Sequence, residues 1–189
     1  MVGKIILASS SPRRADILKK AKIEFEIMPS PYIEDHTTTV FSYEFIENLA
    51  YNKAKAVVPL VKEPSLIIGA DTVVVLDNEI LGKPNGKLGA YEMLKKLSGK
   101  THFVVTSIVV INSETGEFKK NSTTSHVTFE NLSNEQIYYY IENFKPFDKA
   151  GSYGIQEMPE GYIKSYTGNL ENIIGISSDS LKELLNYCL

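Results

Sequence analysis

Residues 66–76, LIIGADTVVVL, form an almost unbroken run of apolar and β-branched side chains with a single acid, Asp71, at its middle. Such a run is the signature of a central strand covered on both faces, so helices or loops must pack above and below it. That requirement points to a layered α/β or α+β fold built on a mixed sheet. A carboxylate in this setting is costly unless it is paired, bound to a metal or turned into a cleft. Asp71 is therefore expected to interrupt the run, leaving strand halves at 66–70 and 72–76. Two readings follow. Asp71 caps a neighbouring turn at a strand end, or it holds a divalent cation, activates water, or does both.

The surrounding sequence alternates strand and helix signals. Residues 4–8 read as a buried strand, followed at once by a helix with Ser11 as N-cap, Pro12 at the first helical position and Ile17, Leu18 and Ala21 on its buried face. A second strand is expected over 25–28, an irregular polar loop over 29–39 and a helix over 43–57. Asp77 and Asn78 suit the positive φ angles of a tight turn, which predicts a hairpin arm over 79–81. A loop over 83–87 leads to a helix over 88–97 that closes at Gly99. Alternating segments over 102–112 and 117–130 flank Thr115 and Gly116 and predict an antiparallel pair. Ser133 and Gln136 form a capping box for a helix ending near 144. The stretch 151–168 reads as loops and short strands, and 180–187 as a terminal helix. No internal repeat or linker is visible, so 1–189 is expected to be a single domain.

Charge narrows the function. With 20 basic and 23 acidic residues the net charge is −3, which leaves no broad positive field for a nucleic acid. Cys188 is the one cysteine and cannot form an internal disulfide. The apolar run in MVGKIILASSSPRR is too short for a signal core or a membrane span, so a cytoplasmic protein without membrane association is expected.

Several groups carry candidate chemistry. Ser9, Ser10, Ser11, Pro12, Arg13 and Arg14 lie where a strand feeds a helix start, so hydroxyls, guanidiniums, unpaired amides and the positive helix end converge. That cluster is either a phosphate seat or a capped helix start with surface arginines. It is no Walker loop, because the glycines and lysine of that motif are missing. Ile46, Leu49, Ala50, Lys53, Val57 and Leu60 share one helical arc, with Lys53 near its centre. Lys53 either runs along the stripe to solvent or reaches into a cleft as a phosphate ligand. Lys83, in the rigid turn Gly82-Lys83-Pro84, is a second candidate for triphosphate oxygens once the hairpin folds it back. Glu34 and Asp35 are either a source of metal oxygens or solvated loop acids. In the segment 147–156, FDKAGSYGIQ, glycines and an aromatic surround Gln156, whose amide matches one edge of uracil or thymine; the alternative is a glycine-bearing sheet edge.

Taken together, LASSSPRR, ENLAYNKA, IIGADTVV followed by ILGKP, LSGKTH and FDKAGSYGIQ resemble the Maf family of nucleotide pyrophosphatases, in order and over residues 7 to about 175. The resemblance implies an elongated Maf/ITPase-like α/β structure, with a mixed central sheet flanked by helices and two lobes around a nucleotide-binding cleft. It also implies hydrolysis of a nucleoside triphosphate between the α and β phosphates, a divalent cation (Mg2+ or Mn2+) and a homodimer. Asp71 takes the family's proton-acceptor position. Arg13, Thr72 and Gln156 fall where the branch acting on dTTP and UTP differs from the branch acting on 7-methyl-GTP. Ser9, Glu34, Lys53 and Lys83 match polar positions of the cleft. Asp71 and Glu34 are the implied metal ligands, and Arg14 joins the substrate-binding set. One departure stands out: Ser177 occupies a position where the family usually has proline, and a looser loop is expected there.

Overall fold

The structure is a computed structural model that describes residues 3–34 and 38–188. Its spine is the run that dominates the sequence. Strand β3 (Ser65–Leu76) is continuous over 12 residues, and Asp71 does not interrupt it. The backbone at Asp71 stays in register with Ser107, so the ladder survives and the side chain's cost is met by partners. β3 lies between β1 (Lys4–Leu7), to which it is parallel, and β5 (Thr101–Asn112), to which it is antiparallel. β2 (Glu26–Ile27) adds a short parallel edge beside β1, while β6 (Phe118–Phe129) and β7 (Ile163–Thr167) continue the antiparallel side. The order is β2-β1-β3-β5-β6-β7, with β4 (Glu79–Leu81) paired to the far end of β3. This is the mixed sheet that the pattern of elements predicts.

Local signals account for the turns. Asp77 and Asn78 have φ of 50° and 67°, the double left-handed step that closes a two-residue hairpin between β3 and β4. Ser133 and Gln136 form the reciprocal capping box ahead of α4 (Asn134–Phe144). The other helices are α1 (Pro12–Lys20), α2 (Tyr43–Lys55), α3 (Gly86–Leu97), α5 (Leu170–Ile174) and α6 (Ser178–Cys188). α5 falls inside a stretch with no helical periodicity and rests on its Asn169 cap, which accepts from the Asn172 amide. α2 stops short of the expected 57. Pro59 sits in a 3-10 turn, Val58–Leu60, and Leu60 is 50% exposed, off the buried arc.

Side-chain alternation along β3 sorts the core into layers. Leu66, Ile68 and Ala70 pack with Leu18 of α1 and Leu181 and Leu184 of α6. Ile67 faces Ala50 and Ala54 of α2, and Val73 and Val75 face Ile46 of the same helix. Val74 and Leu76 join Leu94 of α3 and Ile137 and Tyr140 of α4 in the largest cluster. β3 and β5 thus run through two packed regions. Asp71 and Thr72 lie where one gives way to the other.

Candidate active site

Asp71 and Thr72 are neighbours on a strand, so their side chains leave opposite faces. Asp71 turns towards α2, where Lys53 meets it. The same ammonium bonds Glu34 Oε1 at 2.8 Å, so two carboxylates converge on one cation. Lys53 therefore points into the protein and does not run to solvent. Gly69 sets this distance. A Cβ at Gly69 would lie 2.1 Å from the Ala50 carbonyl oxygen and 2.8 Å from the Ala54 nitrogen, so only glycine lets α2 lie this close to β3. Burial raises the Asp71 carboxyl above its ordinary value, against the opposing pull of Lys53 and Arg14.

Thr72 turns the other way. Its Oγ1 accepts from Arg14 Nη2 at 3.1 Å and lies 2.9 Å from Thr106 Oγ1. Arg14 also donates through Nε to the Gly175 carbonyl at 2.9 Å and through Nη1 to Ser9 Oγ at 3.3 Å. Its guanidinium fork thereby ties α1, β3 and the turn after α5 together, and burial lowers its pKa. Ser11 occupies the N-cap position of α1 in an extended conformation, but its side chain makes no capping bond; its own amide donates to Ser9 Oγ at 3.2 Å. The first-turn amides of α1 are thus left without a side-chain cap.

Arg13 bonds Asp148 Oδ2 at 3.0 Å, and Lys149 Nζ bonds the other oxygen of that carboxylate at 2.9 Å and Glu157 at 3.1 Å. Burial pushes Asp148 up, but Lys149 and Arg13 outweigh it and hold the carboxyl at about 2. Asp148 and the buried Lys149 carry no role legible in the sequence. Their position inside FDKAGSYGIQ was the available signal, and a pairing with Arg13 across 135 residues was not legible.

These groups share one cleft of about 980 Å³. Ser9, Arg13, Arg14 and Lys53 line it together with Glu34, Asp71 and Thr72. Lys83 and Gln156 line it as well, without a direct bond to the Asp71 cluster among the described residues. The backbone joins their two loops, since the Gly151 amide donates to the Gly82 carbonyl at 3.0 Å. Asp35 lies outside the described residues. At the departure from the family pattern, Ser177 is buried, and its Oγ accepts from the Ser180 amide at 3.3 Å and from Asn169 Nδ2 at 3.4 Å. A helix cap holds this turn where proline is usual, so the loop is anchored rather than loosened.

Among the described residues, no group of three or more His, Cys, Asp or Glu side chains forms a ready metal site, and no helix is long and apolar enough to cross a membrane. The carboxylates of Asp71 and Glu34, already gathered around one positive charge, are a hard-oxygen donor pair. Two carboxylates completed by phosphate oxygens and water are a usual way to hold Mg2+. The residues fit such an ion.

Comparison with known proteins matches residues 4–188 to the family described as Maf-like protein. A dTTP/UTP pyrophosphatase of Clostridium botulinum (strain Alaska E43 / Type E3) is 39% identical over 187 residues, covering 98% of this chain and 100% of that protein. One of Thermosipho africanus (strain TCF52B) is 42% identical over 182 residues, covering 96% and 92%. Among solved structures, a HAM1 protein from Coxiella burnetii shares the fold with a TM-score of 0.52 at 15% identity, covering 99% of this chain and 100% of that one. The family match and the near-complete relatives agree with the motifs and with the cleft they line: the chain belongs to the Maf family.

Proposed function

We propose that the chain is a nucleoside triphosphate pyrophosphatase that hydrolyses dTTP and UTP to the nucleoside monophosphate and pyrophosphate. One observation carries this reading: a buried carboxylate with a raised pKa shares a cleft with an uncapped helix start, several cations and a neutral amide. The names of the relatives, dTTP/UTP pyrophosphatases, support the substrate class.

In this mechanism Ser9, Arg13, Lys53 and Lys83 hold the triphosphate, helped by the first-turn amides of α1. Arg14 contributes from the same wall while keeping Thr72 and Ser9 in place. Asp71 takes a proton from water as the water oxygen bonds to the α-phosphorus. The bridging P–O bond breaks and pyrophosphate departs. Burial makes Asp71 the better base, because a carboxyl pKa moved up towards the working pH accepts a proton more readily. Asp71 and Glu34 would hold Mg2+ or Mn2+, which when bound neutralises charge on the phosphates. Gln156 and Thr72 line the same cleft and, with Arg13, are the positions at which the resemblance separates the pyrimidine branch, so they favour a pyrimidine.

The experiment is a panel of UTP, dTTP, CTP and 7-methyl-GTP with Mg2+ or Mn2+, following monophosphate and pyrophosphate. UTP and dTTP are expected to turn over fastest; preference for 7-methyl-GTP would refute the pyrimidine assignment. The same reading includes a cytoplasmic homodimer, which light scattering on the purified chain and fractionation of cells would check.

A further inference from the structure

The segment after Lys149 makes an uncommon turn. Gly151 and Ser152 are both left-handed, with φ of 65° and 62°, a conformation that glycine adopts freely and serine rarely does. Neighbours hold it in place. Ser152 is fully buried and its hydroxyl donates to Met93 Sδ at 3.2 Å, while a Cβ at Gly151 would meet Val74 at 2.9 Å. The turn delivers Tyr153 in extended backbone, and Tyr153, Gly154, Ile155 and Gln156 then line the cleft in sequence. The Gly154 amide donates to Tyr140 Oη at 3.1 Å, which pins the same stretch from behind.

Tyr153 has one further tie. Its Oη lies 2.7 Å from His102 Nε2, and His102 is 1% exposed. The rings of His102, Tyr153 and Phe129 meet edge to face, at centroid distances of 5.4 Å, 4.9 Å and 5.2 Å. His102 Nδ1 is buried with no hydrogen-bond partner, a cost that a phenylalanine filling the same space would avoid. What the imidazole adds over such a filler is a directed bond to Tyr153. Neither residue touches the Asp71 cluster, so neither has a part in the chemistry described above.

We propose that His102 and Tyr153 are positioning residues for the base end of the cleft: their bond fixes the Tyr153 ring and, through it, the backbone that presents Gln156. The inference rests on the reading that Gln156 faces the base. It makes the selectivity of the cleft depend on a buried histidine that reaches no ligand.

The test measures binding rather than turnover, using calorimetry with non-hydrolysable α,β-methylene-UTP and, separately, inorganic tripolyphosphate, which has no base. Losing one hydrogen bond corresponds to about a three- to tenfold change in affinity. Tyr153→Phe and His102→Phe are each expected to weaken the UTP analogue by about that factor and to leave tripolyphosphate within about twofold. His102→Gln, whose side-chain amide can still hydrogen-bond Tyr153 Oη, is expected to recover most of the loss. Retained tripolyphosphate binding shows that a variant is folded. Equal losses for both ligands, or unchanged affinity for the analogue, would overturn the proposal, as would a wild-type protein that binds the analogue no better than tripolyphosphate. A wild-type protein that shows the binding difference but releases no pyrophosphate from UTP would contradict the proposed activity and leave this inference standing.

Discussion

Lys53 and Asp71, 18 residues apart on α2 and β3, form an ion pair at the floor of the cleft, and Glu34 shares the same ammonium. The pair exists because three small residues, Gly69, Ala50 and Ala54, let helix and strand approach closely. It accounts for a carboxylate in the middle of a core strand. It also places that carboxylate where burial keeps its pKa raised, so the feature that costs folding free energy is the one a general base needs.

Removing the charge at Asp71 is expected to separate activity from stability. Asp71→Asn should lower turnover by about 100- to 10,000-fold, the usual worth of a positioned base. An acid whose folded pKa is raised contributes stability below its unfolded pKa and loses it as pH rises through the folded value. Above that folded value the ionised Asp71 is a cost, and there the variant's melting temperature should be no lower than that of the wild type. Near-normal turnover in a folded Asp71→Asn protein would remove Asp71 from the mechanism.

Gly69→Ala tests the approach of α2. The added methyl collides with the helix backbone, so α2 must move outward and carry Lys53 with it. Overpacking of this kind costs about 1–3 kcal/mol. A displacement near 1 Å at a catalytic group costs about 100-fold in rate. Thermal unfolding and kcat together check this. A variant with wild-type values for both would show that the close approach is dispensable.

His102 gives a pH signature. Burial lowers its pKa to about 4 from an ordinary 6.5, so the folded protein keeps it neutral. A histidine whose folded pKa is depressed contributes stability above its unfolded pKa, and that contribution is lost as pH falls through the folded value. Between pH 6.5 and about 4 the loss should reach about 3 kcal/mol. The double variant His102→Phe, Tyr153→Phe removes both partners of the buried bond and should lack this part of the acid destabilisation. Denaturant unfolding of both proteins at several pH values checks it; parallel pH curves would contradict the assignment.

Much of the frame was legible because it is written in local pattern. The apolar run of β3, the Asp77-Asn78 turn and the Ser133-Gln136 capping box each encode their structure within a few residues. Contacts across the fold left no such trace. Asp71 reads as a break in the strand because the lysine that meets it lies on another element, and the bonds of Arg14 to Gly175 and Thr72 leave no local pattern because those partners are distant in sequence. Five-residue α5 is too short to show a period, and the LSGKTH block that ends in His102 names no partner for that histidine. The cleft itself was legible only through the family motifs, whose residues the fold brings together.

Isotope placement tests water attack on the α-phosphorus within this cleft. UTP is hydrolysed in water enriched in oxygen-18, and the products are separated and weighed by mass spectrometry. One labelled oxygen is expected in UMP and none in pyrophosphate. Label in pyrophosphate, or release of UDP and inorganic phosphate, would contradict it.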